Sequence, residues 1–243
     1  MTNTLQSDPV AATLTRLYAL AGGRRTDRGP AGQASDGAPG GRPGPGVAAG
    51  VRPGPPRRPR LSSTASAQER ADAMSEVYMP ISPMAGVLAY SLIRASRPQI
   101  VVEFGMSFGI STLHLASALR DNGSGRLYTT ELSARKITAA RETFAETGLD
   151  DVITVLEGDA LQTLKQVDGE IGFVLLDGWK EMYRPVLRLL EGQLPAGALV
   201  LADNTEHLDT AEYLEYVRDP ANGYLGVNFP AKERDTMELS CRL

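Results

Sequence analysis

Residues 101–111, VVEFGMSFGIS, set the fold around which the rest of the chain is organised. They continue a β-branched run that begins at Ile100, and β-branched residues favour strands. Beyond Gly105 and Gly109, apolar residues recur at helical spacing over residues 110–119. Glycine suits positions where the backbone turns or approaches another group closely. The stretch therefore predicts either a plain strand-to-helix turn or a nucleotide-type site at the carboxyl end of a parallel strand.

Length, charge and cysteine content narrow the class of protein. The chain has 243 residues, enough for one α/β domain with an appendage, and its net charge of −4 is too mild to indicate a polyanion partner. Cys241, the single cysteine, cannot form an internal disulfide, which suits a reducing compartment. No apolar run approaches the ~18 residues of a membrane helix, and the N-terminus lacks the features of a signal peptide. We therefore expect a soluble, cytoplasmic protein.

The composition divides the chain into three parts. Residues 1–20 contain a short amphipathic helix from Val10 to about Leu20. Residues 21–62 form a linker, because residues 21–60 hold 11 glycines, 8 prolines and 8 arginines and too little apolar surface to offset chain entropy. We interpret it as a disordered, solvated segment rather than a basic arm for nucleic acid, since no aromatic residue interleaves the arginines. Residues 63–243 form the main domain.

Strand and helix patterns alternate through that domain. Such alternation predicts an α/β fold with a seven-stranded, mostly parallel sheet and helices on both faces. The last two strands are joined by a polar turn, which indicates a C-terminal antiparallel hairpin. The predicted helices are 65–77, one begun by Ser82-Pro83, one from residue 110, 133–147, a short one after Asp159, 179–190 and 210–217. The predicted strands are 100–102, 126–130, 152–156, 171–176, 198–202, 224–229 and 236–241.

Acidic residues stand at or beside the carboxyl ends of the predicted strands, where open α/β sheets bind ligands. Glu103, Glu131, Asp177 and Asp203 hold these positions, and Asn204 follows the last of them. Glu131 is placed to accept ribose hydroxyls, or to cap the helix after it. The hard oxygens of Asp177, Asp203 and Asn204 suit Mg²⁺, with helix capping as the alternative.

Two motifs resemble a known family. Residues 177–180 read DGWK, with Tyr183 three positions on, and residues 201–204 read LADN. Together with EFGMSFGIS they resemble catechol O-methyltransferase and its bacterial small-molecule relatives over residues 78–238. The resemblance implies a Rossmann-like class I methyltransferase fold that uses S-adenosylmethionine and Mg²⁺. Gly178 departs from it, because the family frequently has histidine there.

The resemblance also implies a role for each matching residue. Lys180 would be the general base, and Glu238 would contact a second hydroxyl of the substrate. Asp177, Asp203 and Asn204 would hold the metal. The residues assigned to the cofactor are Met79, Glu103, Gly105, Ser111, Glu131, Asp159, Ala160, Asp177 and Trp179. A phenol is mostly protonated at neutral pH, so a metal and a base together would supply the oxyanion that methyl transfer needs.

These residues predict an O-methyltransferase acting on a small phenolic or catechol-like acceptor. Two rival classes stay open: a methyltransferase of nucleic acid or protein that uses the arginine-rich segment, and a binding module without catalysis. A methyltransferase of nucleic acid or protein would have no use for the metal ligands, which argues against the first class. The presence of Asp177, Lys180, Asp203 and Asn204 argues against a binding module without catalysis. We expect no membrane partner and no nucleic-acid partner, and we consider a homodimer as the assembly.

Overall fold

A computed structural model describes residues 3–23, 65–232 and 235–243 of the chain. Most of the predicted linker lies outside these residues. Its first three positions belong to the N-terminal helix, which runs from Asp8 to Gly23 rather than ending near Leu20. In the described part of the chain, no helix combines the length and apolar character needed to cross a bilayer.

The described elements are eight α-helices and seven strands, with short 3₁₀ turns between them. The helices are α1 (Asp8–Gly23), α2 (Ala67–Ala73), α3 (Pro83–Ser96), α4 (Ile110–Asn122), α5 (Ala134–Thr147), α6 (Ala160–Thr163), α7 (Tyr183–Leu190) and α8 (Ala211–Arg218). The strands are β1 (Ile100–Phe104), β2 (Arg126–Glu131), β3 (Ile153–Glu157), β4 (Ile171–Leu176), β5 (Leu199–Ala202), β6 (Tyr224–Lys232) and β7 (Asp235–Arg242).

The strands form one sheet in the order β3-β2-β1-β4-β5-β7-β6. The pairs among β1 to β5 are parallel, and β7 runs antiparallel to both β5 and β6. The predicted seven-stranded, mostly parallel sheet with a C-terminal hairpin is thereby confirmed. The order reverses between β1 and β4, so the carboxyl ends of these two strands border the crevice where such sheets bind ligands.

Local sequence signals explain several helix ends. The Ser82 side chain accepts a hydrogen bond from the Ala85 N–H and Pro83 follows it, so α3 begins with a cap and a residue that needs no N–H partner. Ser133 caps α5 in the same way through Lys136 N–H, and Gly148 ends that helix in the left-handed region. Both boundaries agree with the sequence prediction.

Two predicted helices are shorter in the structure. The helix predicted over residues 65–77 is α2, which ends at Ala73 before a turn. The helix predicted over residues 179–190 begins with a 3₁₀ turn, Lys180–Met182, and becomes α-helical only at Tyr183. This tighter turn brings Lys180 back toward residues 177 and 183, as its hydrogen bonds show.

The core lies in two layers, one on each face of the sheet. One layer joins α1, α3, α4 and α5 through residues such as Leu14, Ile93, Leu113 and Phe144. The other joins α6, α7 and α8 to the opposite face through residues such as Ala160, Leu187 and Val217. The N-terminal helix is therefore packed into the same core as the rest of the domain.

Candidate active site at the carboxyl edge of the sheet

The loop after β1 is shaped by two glycines in the left-handed region. Gly105 has φ 103° and Gly109 has φ 83°. A Cβ at residue 105 would lie 2.6 Å from the backbone oxygen of Asp177, closer than side-chain atoms approach backbone. Only glycine lets the β1 loop pack directly on the β4 loop at this point. The two sequence motifs are therefore brought into contact by backbone packing.

Glu131 ties the loop after β1 to the loop after β2. One of its oxygens, Oε2, accepts the Ser107 N–H at 2.9 Å. The other, Oε1, accepts the N–H groups of Leu132 and Ser133, each at 2.9 Å. The carboxylate is half-buried at the end of β2. Both sequence interpretations of Glu131 are compatible with its position, because it binds backbone at the next helix and also contacts the loop after β1.

Glu103 supports the β1 loop from inside the domain. Its side chain is fully buried, and Oε2 accepts the hydroxyl groups of Thr112 at 2.6 Å and Thr129 at 2.5 Å. The nearby Ser111 hydroxyl also favours the charged form of this carboxyl. Burial raises the pKa of Glu103, against the opposing effect of these donors. Both Glu103 and Ser111 are thus engaged in a buried polar cluster, and a contact of either with a cofactor stays a prediction.

Met79 lies across a small cleft from the β1 loop. The cleft is lined by Tyr78, Met79 and Pro80 on one side and by residues 106–108, 110 and 111 on the other. The Tyr78 ring stacks on Phe108, with centroids 4.0 Å apart and planes at 11°. The segment that follows α2 is therefore held over the crevice.

Asp159 and Ala160 follow the carboxyl end of β3, and Trp179 follows the carboxyl end of β4. Asp159 caps α6 by accepting the Leu161 N–H at 2.9 Å, and Ala160 is the buried first residue of that helix. The guanidinium of Arg70, on α2, lies 4.6 Å from the centroid of the Trp179 ring. Arg70 also pairs with Glu181 at 2.5 Å. Helix α2 is thereby attached to the loop after β4 as well.

The departure at Gly178 has a packing reason. A Cβ at this residue would overlap the ring of Phe104, the last residue of β1. The aromatic ring therefore occupies the space that a side chain at residue 178 would need. A histidine cannot stand there unless Phe104 moves.

Four residues form a continuous polar chain that we call the lysine cluster: Asp177, Lys180, Tyr183 and Asp203. Lys180 Nζ donates to Asp177 Oδ1 at 3.2 Å and to the Tyr183 hydroxyl at 2.6 Å. The Tyr183 hydroxyl donates in turn to the backbone oxygen of Asp203 at 2.9 Å. The two aspartates directly follow Leu176 and Ala202, which are paired across β4 and β5. Sheet register therefore sets both carboxylates at the same edge.

Asn204 lies beside this cluster in the left-handed region, with φ 57°. Its Nδ2 donates to Asp235 Oδ2 at 2.6 Å, across the sheet edge at the start of β7. This hydrogen bond turns the amide so that its carbonyl oxygen points away from Asp235. Asp235 is not among the site residues predicted from the sequence, although it lies only three residues before Glu238, which is.

Glu238 is held elsewhere. The Arg218 guanidinium binds both of its oxygens, Nε to Oε1 at 3.1 Å and Nη2 to Oε2 at 2.6 Å. Only 2% of the Glu238 side chain is exposed. It projects to the α8 side of β7, whereas its neighbours Met237 and Leu239 pack in the other layer. Contact with an acceptor would require the Arg218 pair to open, so the substrate role of Glu238 stays a prediction that this geometry does not favour.

The donor set suits a hard cation. Among residues 3–23, 65–232 and 235–243, no three His, Cys, Asp or Glu side chains cluster closely enough to hold a metal by themselves. Asp177 and Asp203 form a mixed set with the amide oxygen of Asn204. Two carboxylates and one amide oxygen, with remaining positions for water or substrate, match the preference of Mg²⁺. The residues present therefore fit the metal implied by the resemblance.

The chain is similar to known methyltransferases. A model of the family described as Methyltransferase domain matches residues 102–205. The chain is 31% identical to catechol O-methyltransferase B of Danio rerio over 148 residues, which are 58% of this chain and 55% of that protein. It is 30% identical to catechol O-methyltransferase of Sus scrofa over 147 residues, which are 58% of this chain and 78% of that protein.

A solved structure shows the same fold. The crystal structure of the O-methyltransferase from Bacillus cereus in complex with SAH superposes with a TM-score of 0.61 at 19% identity, covering 68% of this chain and 83% of that chain. The fold and these sequence matches thus define a protein of the methyltransferase-domain class. The chain belongs to the family of O-methyltransferases that includes catechol O-methyltransferase. It spans about half the length of the Danio rerio relative, 55%.

Proposed function

We propose that this protein transfers a methyl group from S-adenosylmethionine to a hydroxyl of a small phenolic or catechol-like acceptor, with Mg²⁺ assistance. The observation that carries the proposal is the lysine cluster. It joins the Lys180 amine directly to the Asp177 carboxylate and, through Tyr183, to the backbone of Asp203, beside a glycine loop that packs on Asp177. A base next to hard oxygen donors is what the alkylation of a weakly acidic hydroxyl requires.

The loops at the carboxyl edge of the sheet would supply the contacts that a nucleoside-bearing methyl donor needs. The half-buried Glu131 carboxylate would accept the ribose hydroxyls, while the cleft between Met79 and the β1 loop would receive the methionine part. Trp179, Asp159 and Ala160 would border the adenine. The left-handed glycines at 105 and 109 let the loop backbone pack closely on Asp177 and on Phe144, and this packing would hold the loop in place beside the donor.

Asp177, Asp203 and Asn204 would hold Mg²⁺. When bound there, the ion would stabilise the acceptor oxyanion and, as a like charge, favour the neutral amine of Lys180. Lys180 would take the proton of the acceptor hydroxyl at Nζ. The acceptor oxygen then forms its bond to the methyl carbon as the carbon–sulfur bond of the donor breaks, and the electron pair of that bond stays on sulfur.

Paired variants test the proposal. Lys180→Ala should lower kcat by about 10²–10⁴-fold at pH 7, because it removes the general base. Raising the pH should restore part of the activity, since more acceptor is already ionised, whereas added Mg²⁺ should not. Asp177→Ala should instead weaken Mg²⁺ binding and regain activity at high Mg²⁺, because mass action refills a weakened site. The exposed Lys165→Ala serves as the control and should keep wild-type kcat.

The assay is kcat on a panel of catechols against pH and against Mg²⁺, with EDTA as the blank for metal. Wild-type kcat in Lys180→Ala at pH 7 would contradict the base. Full activity of the wild-type protein in EDTA would contradict the metal. If no hydroxyl acceptor in the panel is methylated, the proposed substrate class is wrong.

A further inference from the structure

Tyr183 connects the proposed base to the backbone of a proposed metal ligand. Its hydroxyl oxygen accepts from Lys180 Nζ at 2.6 Å, the shorter of the two hydrogen bonds recorded for that amine. The same hydroxyl donates to the backbone oxygen of Asp203 at 2.9 Å. One phenol oxygen thus sets the distance between the lysine amine and the chain that carries the Asp203 carboxylate.

The direction of each hydrogen bond in this chain follows from chemistry. A carbonyl oxygen can only accept, so the single proton of the Tyr183 hydroxyl is committed to Asp203. The lone pairs of that hydroxyl are then left to accept from Lys180, which has three N–H groups when protonated. The two hydrogen bonds therefore run from Lys180 to Tyr183 and from Tyr183 to Asp203.

The ring of Tyr183 is fixed in place. The residue is fully buried, and its ring meets Phe104 edge to face at 6.4 Å and 80° and Tyr213 at 5.7 Å and 87°. Such packing leaves no room for the ring to swing. The hydroxyl oxygen is therefore a rigid point, whereas the Lys180 side chain has four rotatable bonds and is 16% exposed.

We propose that Tyr183 is the positioning residue for Lys180, holding its amine at the distance from the Asp203 backbone at which it can take a proton from an acceptor hydroxyl. The inference rests on the proposed function, because it gives Lys180 the role of base. It goes beyond the proposed function because it assigns a role to Tyr183, which would act only by positioning Lys180. A misplacement of about 1 Å at a reacting group can cost about 10²-fold in rate, so a fixed oxygen at this point matters.

Tyr183→Phe removes the hydroxyl and keeps the ring. We expect kcat to fall about 10- to 100-fold, less than the loss of the base itself, while KM and the dissociation constants of S-adenosylmethionine and Mg²⁺ stay within about twofold. The matched control is Tyr213→Phe, since Tyr213 is also fully buried and touches the same ring. The control should keep wild-type kcat. Equal losses in the two variants would mean that Tyr183 acts through packing alone and would overturn the proposal.

A second variant separates the two hydrogen bonds of the hydroxyl. Replacement of Tyr183 by 4-aminophenylalanine keeps an N–H donor for Asp203 but offers Lys180 a poor acceptor. It should keep the melting temperature of the wild-type protein and lose kcat as Tyr183→Phe does. It also keeps the test decisive if Tyr183→Phe does not fold. Wild-type kcat in this variant would show that the lysine does not need the acceptor.

The double variant Tyr183→Phe/Lys180→Ala completes the test. If Tyr183 acts only through Lys180, the double variant has the kcat of Lys180→Ala alone, and the two losses do not add. Additive losses would overturn the inference and leave the proposed function standing. An unchanged kcat in Lys180→Ala would overturn both, so the two failures are distinguishable.

Discussion

The Glu103 carboxyl group lies at the centre of a polar cluster beneath the loop after β1. Three hydroxyl groups surround it, from Ser111, Thr112 and Thr129, and none of the residue is exposed to solvent. Burial disfavours the charged carboxylate more than these donors stabilise it, so its pKa in the folded protein is raised above 4.5. The loop after β1 therefore packs over a carboxyl group, that of Glu103, which holds its proton to higher pH than an exposed glutamate does.

This raised pKa makes stability depend on pH. Above the pKa of the unfolded chain, the folded protein retains a proton that the unfolded chain has released, so the free energy of unfolding falls as pH rises through the folded pKa. Glu103→Gln keeps an acceptor for the hydroxyls and has no such proton. Urea unfolding at pH 5 and pH 8 should show a smaller loss of stability in Glu103→Gln than in the wild-type protein. Glu157→Gln, at the exposed end of β3, is the control. If Glu103→Gln loses as much free energy of unfolding between pH 5 and pH 8 as the wild-type protein, the pH dependence does not come from Glu103.

Helix α1 shows how an element near the N-terminus contributes to the domain. Val10, Leu14 and Leu17 belong to the same buried layer as α4 and α5. Thr4, just before α1, donates from its N–H and hydroxyl groups to Asp121 at the end of α4, at 2.9 and 2.5 Å. Arg16 pairs with Glu146 of α5 at 2.6 Å. Helix α1 is therefore attached to the domain by apolar packing at its centre and by polar contacts at its edges.

Leu17 and Leu20 offer a matched pair for testing that attachment. Leu17 is 3% exposed and Leu20 is 42% exposed on the same helix. Leu17→Ala should lower the free energy of unfolding of the whole domain by about 2–5 kcal/mol, because it leaves a cavity in the core. Leu20→Ala should change it by less than about 0.5 kcal/mol. Denaturant unfolding measures both; an equally small effect of Leu17→Ala would show that α1 is not part of the cooperative unit.

At the scale of the whole molecule, the site is assembled from the two halves of the sheet. The half β1-β2-β3 brings the glycine loop and Glu131, while β4 and β5 bring the lysine cluster. The two halves meet where the Gly105 backbone packs on Asp177. Because the Gly105 backbone packs on the Asp177 backbone, the position of the glycine loop relative to Lys180, the proposed base, depends on how the two halves of the sheet pack.

The segment between α1 and α2 is predicted to be dispensable for this core. Replacement of residues 24–64 by a Gly/Ser-rich chain of equal length should change the melting temperature by less than about 2 °C, because the native segment contains little apolar surface to bury. Replacement of residues 21–64 is the contrast, since it also removes Ala21, which is 6% exposed in the last turn of α1. That longer change should destabilise the domain. A loss of several degrees in the shorter replacement would contradict the prediction.

Long-range pairing accounts for the features that sequence reasoning did not find. The resemblance implies a substrate contact for Glu238, yet in the structure Arg218, twenty residues earlier, binds both of its carboxylate oxygens. Asp235 was not selected, although it binds the amide of Asn204 across the sheet edge. Neither pairing leaves a periodic signal in the sequence, because each depends on how β7 is placed beside β5 and α8.

The sequence by itself determined the alternation of strands and helices, the sheet of seven strands and the acids at the strand ends. These follow from apolar periodicity, glycines and caps, which act within a few residues of one another. Only the tertiary structure decided that α1 packs in the core, that Phe104 fills the space above Gly178 and that Tyr183 bonds both Lys180 and Asp203. Those contacts join residues from separate elements, and close packing selects them only when the whole sheet and both helical layers are in place.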